Sequence, residues 1–389
     1  MGRSLTTIAT LLFTALLVTG CGSTTVKSTA FEPLAQETAL IPESRLLDVG
    51  VLTFDPGLDD VEEGQSLFPE VRNAESRYFA DQLVETLQRS GAWGPVRVIP
   101  SGDTVVDLYV RGKILHSDGE RLALAIEARD TSGRLWLDKD YEEVVSSYAY
   151  DGRRKSERDP FQGLFNRIAN ELLKKQHNLP PERAEELRLI SELRFARRFA
   201  PDAYSGYLRE NRKGELEILR LPAENDPLLA RIERIRRRDY LFIDTLQEHY
   251  NAFSRRMDKP YQTWRASSYE DVIAARELQR QSKARLIGGI AAVAAGIAAA
   301  TGDGSSQVGG MMAAGAGGML IKSALAKKQE AQMHIEALAE LGQSLEAEIE
   351  PQVIELEDRT ITLTGNAEAQ YEQWKDILQQ MYETERGDI

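Results

Sequence analysis

Two pairs of acidic residues have spacings that paired-carboxylate catalysis could use. Asp118 and Glu120 form one pair, and Asp138 and Asp140 form the other. In such a pair one carboxyl donates a proton while the other accepts one or activates water, which is hydrolase chemistry. Both pairs lie in predicted turns or at strand ends, where acidic residues are ordinary surface residues. The sequence therefore predicts no catalytic residue, and hydrolysis is kept only as an alternative.

The histidines and glycines indicate no cofactor site. The four histidines are far apart in the sequence, at His116, His177, His249 and His334. None has a ligand-type partner in the H-E-x-x-H arrangement that places two metal ligands on one helix face. The glycine-rich stretches lack the G-x-x-x-x-G-K-[ST] pattern of a phosphate-binding loop. We expect no metal, no other cofactor and no small-molecule substrate.

The most distinctive single residue is Cys21, the only cysteine among 389 residues. A lone cysteine excludes an intrachain disulfide and a zinc cluster built from several thiolates. Cys21 follows a basic start at Arg3, an apolar run from Leu5 to Val18, and the small residues Thr19 and Gly20. This is the order of an export signal. The run Leu-Val-Thr-Gly-Cys at 17–21 resembles the lipobox of bacterial lipoproteins.

This resemblance implies that residues 1–20 are a signal peptide and that Cys21 carries three acyl chains. Stable anchoring needs more than one chain, because a single chain binds membranes only marginally. By the same resemblance, Gly22 in place of aspartate implies the outer membrane. The body is expected in the periplasm, with exposure at the cell surface as the open alternative. An N-terminal transmembrane anchor is the alternative, although the apolar run is shorter than the roughly 20 residues of a spanning helix.

The charge and length of the chain limit its partners and its domain count. The chain has 48 Lys and Arg against 61 Asp and Glu, a formal net charge of -13. A general nucleic-acid binder would present a basic face, so nucleic acid is not an expected partner. About 370 residues follow the signal peptide, enough for two or three domains.

The first part of the mature chain is predicted to be a tether followed by an α+β domain. Residues 21–43 contain Ser, Thr, Pro and Glu without periodicity, which is typical of a flexible tether. Residues 44–178 predict an antiparallel sheet with two covering helices. The strands are expected at about 47–54, 95–100, 105–115, 121–130 and 134–143.

Both covering helices carry start signals. The first is expected from Ala74 to Arg89, with Asn73 as its N-cap. The second is expected to be capped at Asp159, with Pro160 at its first position.

The order of elements over residues 45–175 resembles a small α+β domain of several envelope proteins. These are the curli-secretion channel subunit, the lipoprotein activators of penicillin-binding proteins, and the Tol-system propeller protein. The resemblance implies protein binding or oligomer assembly at the outer membrane.

Residues 179–285 are predicted to be helical and strongly charged. One helix starts at Pro181, and another runs from Pro227 through Tyr250. A basic cluster on the second helix could meet lipid phosphate or lipopolysaccharide, or it could be a solvated face paired with nearby acids. The cluster consists of Arg234, Arg236, Arg237 and Arg238. Aromatic residues around Pro260 are expected to form a packing corner.

Residues 286–326 are rich in glycine and alanine and predict a helical hairpin. Two uncharged arms, 286–301 and 308–321, flank a polar break at 302–307. Small residues recur every four positions and so share one helix face, where another backbone can approach closely. They are Gly288, Ala292, Gly296 and Ala300 in the first arm, and Gly310, Ala314 and Gly318 in the second. The segment resembles the glycine-zipper hairpins of other outer-membrane lipoproteins.

The length of these arms leaves two environments open. At 1.5 Å per residue they would be roughly 24 and 21 Å long, against a hydrocarbon core of about 30 Å. Membrane insertion and burial in protein are both consistent with such arms. Residues 327–389 are predicted to form an acidic helix, a short β-hairpin and a last helix.

Together these features predict a non-enzymatic outer-membrane lipoprotein. It would be an assembly or accessory subunit of a secretion, surface-organelle or envelope-maintenance machine. Its expected partners are membrane lipid through acylated Cys21, other envelope proteins, and further copies of itself. A ring-forming pore built from the glycine-alanine hairpins is one alternative, and an envelope hydrolase is the other.

Overall fold

The chain folds as an α+β protein, as the sequence predicts. The computed structural model describes residues 31–59, 68–150 and 159–299. Further along the chain it describes 333, 335–337, 339–340, 351–355 and 360–387.

A five-stranded sheet lies at the centre of the N-terminal part. Its strands are β1 (Val49–Leu52), β2 (Val96–Ile99), β3 (Leu108–Ser117), β4 (Arg121–Asp130) and β5 (Leu135–Val144). They lie in the order β2-β1-β3-β4-β5. The predicted meander of β3, β4 and β5 is antiparallel.

The prediction of a wholly antiparallel sheet was wrong for the other half. β1 pairs in parallel with both β2 and β3, so the sheet is mixed. The reason is the helix between β1 and β2, which carries the chain back so that both strands run in the same direction, as in a β-α-β unit.

Two helices cover one face of this sheet, as expected. They are α1 (Pro69–Ser90) and α2 (Gln162–His177). Phe79, Leu83 and Leu87 of α1 are fully buried. The predicted start of α1 at Ala74 was wrong, because Pro69 occupies the first turn and Val71 is already buried.

The predicted cap of α2 is also displaced. Phe161 is the residue at the N-cap position, and Asp159 lies just before it. The Asp159 carboxylate still accepts the backbone N–H of Phe161 at 2.7 Å, so it closes the turn that leads into the helix.

The next region consists of helices and a small hairpin. The elements are α3 (Pro181–Phe199), the single turn α4 (Pro201–Tyr204), the strands β6 (Leu208–Glu210) and β7 (Leu216–Ile218), and α5 (Pro227–Ala299). α5 has 73 residues and would be about 110 Å long at 1.5 Å per residue.

The packing corner expected at Pro260 does not form, because α5 continues through this proline. Proline inside a helix removes one backbone hydrogen bond and crowds the preceding turn. A stripe of fully or almost fully buried side chains crosses this point and offsets that loss by packing. Its members are Tyr250, Phe253, Met257, Tyr261 and Trp264.

The C-terminal part forms the predicted β-hairpin and helix. Strands β8 (Gln352–Glu355) and β9 (Thr360–Leu363) form a sheet of their own, and α6 (Ala367–Gly387) follows. Helix α6 packs on α5, where Trp374 stacks on Phe242 with ring centroids 4.9 Å apart. One apolar core therefore runs from Leu47 in the N-terminal part to Tyr382 in the last helix.

Candidate functional site

The interface between α5 and the sheet domain contains a fully buried arginine, Arg265. Its Nη1 donates to both carboxylate oxygens of Asp159, at 3.0 and 2.8 Å. Its guanidinium lies over the rings of Tyr261 at 4.2 Å and Phe161 at 4.6 Å. Burial alone would lower the pKa of Arg265, but the Asp159 carboxylate, together with the hydroxyls of Tyr261, Tyr150 and Tyr78, more than offsets this and the pKa is raised. Arg265 therefore stays charged inside the protein.

A second buried acid, Glu75 of α1, lies beside this pair. One Glu75 oxygen accepts the hydroxyls of Ser117 at 2.6 Å and Tyr261 at 2.5 Å. Burial, followed by nearby acids, raises the pKa of Tyr78 well above its usual value, and the Tyr78 hydroxyl donates to Asp258 at 2.9 Å. These phenols remain donors, so the network links α1, the sheet and α5.

The turn between β3 and β4 touches the backbone of α5. The amide of Gly119 donates to Ser268 Oγ at 3.1 Å. A side chain at Gly119 would overlap the backbone of Arg265 and Tyr269, so only glycine allows this approach. Glu120 then pairs with Arg276 of the helix.

The structure shows what the two candidate carboxylate pairs contact. Asp118 is bound by His116 at 2.8 Å and by two backbone amides of its own turn at 2.7 Å. Burial would raise its pKa, but these hydrogen bonds hold the pKa of Asp118 below its usual value. Asp138 and Asp140 are exposed on β5, on either side of Lys139.

A second polar cluster fills the junction of α3 and α5 around a cavity of about 220 Å³. Glu192 of α3 and Glu233 of α5 meet there. Burial, followed by the hydrogen bond and charge of Glu233, raises the pKa of Glu192 to about 7. Beside them, Ser191 Oγ donates to Asp107 at 2.5 Å and accepts Arg236 Nη2 at 2.9 Å. This cavity therefore holds a carboxyl group that titrates near neutral pH.

The basic cluster on α5 is largely paired within the protein. Arg234 and Arg238 lie 3.6 and 2.9 Å from Glu385 of α6. Arg236 contacts Ser191 and the hydroxyl of Tyr240. These contacts match the second interpretation of the cluster, a helix face paired with nearby acids.

A cleft of about 950 Å³ lies between α1, α2 and α5. Residues 31–42, which we call the strap, contribute its fourth wall through Phe31, Pro33, Leu34 and Gln36. Much of the lining is polar and carries both signs of charge. Charged lining residues include Asp81, Glu85, Arg89, Arg255 and Asp258.

The residues singled out from sequence are only partly placed. Gly288, Ala292 and Gly296 lie in the helical backbone of α5. Cys21, Ala300, Gly310, Ala314 and Gly318 lie outside the described residues. The structure therefore leaves the lipid site and the hairpin as predictions.

The buried polar residues that hold α5 were not predicted from the sequence. Arg265 lies four positions after Tyr261 and eight after Met257, so it occupies a core position of a buried stripe. A charged residue at the apolar period of a helix is the signal that could have identified it. No local pattern connects it with Asp159, 106 residues earlier.

Comparisons with known proteins give no relatives: no protein-family model matches the chain, and no curated protein matches it. Across the described residues, no group of three or more His, Cys, Asp or Glu side chains could hold a metal ion. Of the helices described, none has the length and apolar character that crossing a membrane requires.

Replacing Arg265 with methionine tests the buried ion pair. Arg265→Met leaves the buried Asp159 carboxylate without its partner, which should lower the free energy of unfolding by about 3–5 kcal/mol. Urea unfolding of the purified full-length protein measures this loss. The matched control is Arg209→Met, which removes an exposed pair with Glu217 at 3.4 Å and should change stability by less than about 1 kcal/mol. Equal effects of the two substitutions would contradict a special role for Arg265.

The carboxyl pair in the cavity predicts a pH dependence. The folded state raises the pKa of Glu192 from 4.5 to about 7, so it holds a proton that the unfolded chain releases in this window. Stability should therefore fall as pH rises from 4.5 through 7, by about 1–2 kcal/mol once partial solvent exposure is allowed for. Glu192→Gln should remove this part of the slope, measured by urea unfolding at pH 5 and pH 8.

A second buried acid and a control variant help to interpret the pH dependence of Glu192→Gln. Burial also raises the pKa of Asp239, to about 6, so a residual slope of the same sign remains in the variant. Glu224→Gln removes an exposed carboxyl elsewhere and should leave the wild-type slope unchanged. A Glu192→Gln protein with the full wild-type slope would show that Glu192 does not hold the proton that causes the slope.

Proposed function

We propose that this protein is a non-enzymatic lipoprotein of the outer membrane that acts as an assembly subunit of an envelope machine. It would be anchored through lipid on Cys21, with its body in the periplasm. Its contacts would be with other envelope proteins and with further copies of itself.

The continuity of α5 carries this proposal. Arg265 and Arg276 fix one stretch of the helix against the sheet domain. The same helix then continues to Ala299, into the glycine-alanine segment. The 35 residues from Arg265 to Ala299 correspond to about 50 Å of helix. Because the sheet domain holds one end of this helix, it determines where the small-residue face lies.

The composition of that segment supports close packing with a partner. Each glycine in a helix interior is less favourable than alanine by about 1 kcal/mol. Gly288 and Gly296 repeat at the spacing of one helix face, with Ala292 between them. Close approach of another backbone can offset this cost through van der Waals packing. The other arm of the hairpin and a second copy of the chain are the two partners of matching chemistry.

The lipid anchor is tested by removing its one possible attachment residue. Cys21→Ala should leave an uncleaved precursor or a soluble protein, because no acyl chain can be attached. Separation of inner-membrane, outer-membrane and soluble fractions measures this, with Ser23→Ala as the neighbouring control. A Cys21→Ala protein that still fractionates tightly with the outer membrane would exclude lipid as the main anchor.

The assembly role is tested by the native mass of the detergent-solubilised protein. Gly296→Leu adds a bulky side chain to the small-residue face and should lower the oligomer mass, as should deletion of residues 286–321. Ala294→Leu is the matched control, since position 294 lies on the opposite side of an ideal helix. A monomer in every case would oppose self-assembly and indicate a tethered adaptor. A large ring whose mass collapses with Gly296→Leu would favour the pore alternative.

A further inference from the structure

Part of the predicted tether, the strap, lies along two helices. Asn166 Nδ2 donates to the carbonyl of Glu32 at 2.7 Å. Asn170 donates to the carbonyl of Pro33 at 2.9 Å and, more weakly, to the Glu32 carboxylate at 3.5 Å, and it accepts the amide of Ala35 at 2.8 Å. Both asparagines belong to α2, so one side of this helix binds the strap backbone.

The strap is bound again at the end of α1. The amide of Glu37 donates to the carbonyl of Ser90 at 2.8 Å. The Glu37 carboxylate lies 2.6 Å from His177 Nε2, at the last residue of α2. Hydrogen bonds to Glu37 from the Ala39 amide and then from His177 lower its pKa, which keeps it charged for this contact.

These contacts are mostly at the surface, although Asn166 itself is almost fully buried. Most strap residues are exposed, Leu40 is fully exposed, and Leu34 and Ile41 are only partly buried. From Leu47 onward, by contrast, the chain enters the core. A surface hydrogen bond adds little net stability because water competes for it, while ordering each residue has an entropy cost. Segments of this kind open locally without unfolding the rest of the protein.

We infer that the strap is a releasable section of the tether that sets how far the body can stand from its anchor. This function rests on the proposed lipid anchor at Cys21. The chain from Cys21 to Phe31 can span at most about 35 Å, whereas the chain from Cys21 to Glu43, whose carbonyl Arg188 holds, can span about 75 Å. Docking and release of the strap therefore exchange a short tether for a long one.

Release also changes the large cleft. Phe31, Pro33, Leu34 and Gln36 of the strap line it together with α1, α2 and α5. When the strap leaves α2, one wall of the cleft leaves with it. A molecule that binds in the cleft and touches this wall favours the docked strap, because binding and docking are then linked. Occupancy of the cleft and the length of the tether are coupled in this way.

Hydrogen exchange of the full-length, detergent-solubilised protein tests release. The amides of Ala35 and Glu37 should exchange at least about 100-fold faster than core amides of β4, and more slowly than in a synthetic peptide of residues 31–42. Asn170→Ala should speed exchange in the strap about tenfold, with the melting temperature unchanged. Lys175→Ala, at an exposed position of the same helix, should change neither.

Two results would overturn the inference. Exchange of the strap as slow as that of β4 would make it a permanent part of the fold. Exchange as fast as that of the free peptide would mean that it is not docked. Neither result depends on lipidation, so both are distinct from failure of the proposed anchor.

Neutron reflectometry on a supported bilayer tests the change in tether length. Lipidated Asn170→Ala protein should form a thicker layer than wild type or Lys175→Ala. An unchanged layer, with exchange in the strap accelerated, would exclude control of reach. Failure of the wild-type protein to bind the bilayer would instead contradict the lipid anchor.

Discussion

A guanidinium that is shielded from solvent needs a negatively charged partner inside the protein, and the partner of Arg265 is Asp159. Removing two charges from water is so unfavourable that such a pair adds little net stability. Its effect here is geometric. Moving α5 along its axis by one turn would separate Arg265 from Asp159 and bring Tyr269 away from the turn at Gly119. The pair therefore fixes the axial position of a 73-residue helix, and with it the place where the glycine-alanine segment begins.

Local patterns predicted the elements that depend on local interactions. The meander of β3, β4 and β5 follows from alternating side chains and two tight turns, and the final hairpin and helix follow in the same way. The parallel pairing of β1 could not be predicted, because alternation identifies the buried face of a strand and not its neighbour. The prediction of a packing corner at Pro260 was wrong for a related reason. Proline tends to end a helix, but buried side chains on both sides of Pro260 keep α5 continuous.

The polar interior was hidden from sequence analysis by distance along the chain. Arg265 and Asp159 are 106 positions apart, and Glu192 and Glu233 lie on different helices. Each acid taken alone has the appearance of a surface residue. The predicted sites depend on short motifs, at Cys21 and in the glycine-alanine repeat, and these are readable without a fold.

The core that joins Leu47 to Tyr382 has a consequence for biogenesis. Phe199 of α3 packs against Tyr382 with ring centroids 5.7 Å apart, and Phe242 needs Trp374 to cover it. A chain delivered N-terminus first exposes these aromatic faces until its last helix arrives. Contacts between distant parts of a chain also form slowly and leave partly folded species open to aggregation. Folding of this protein therefore competes with self-association until the C-terminus is delivered. A chaperone that shields the exposed aromatic side chains would help most at this late stage.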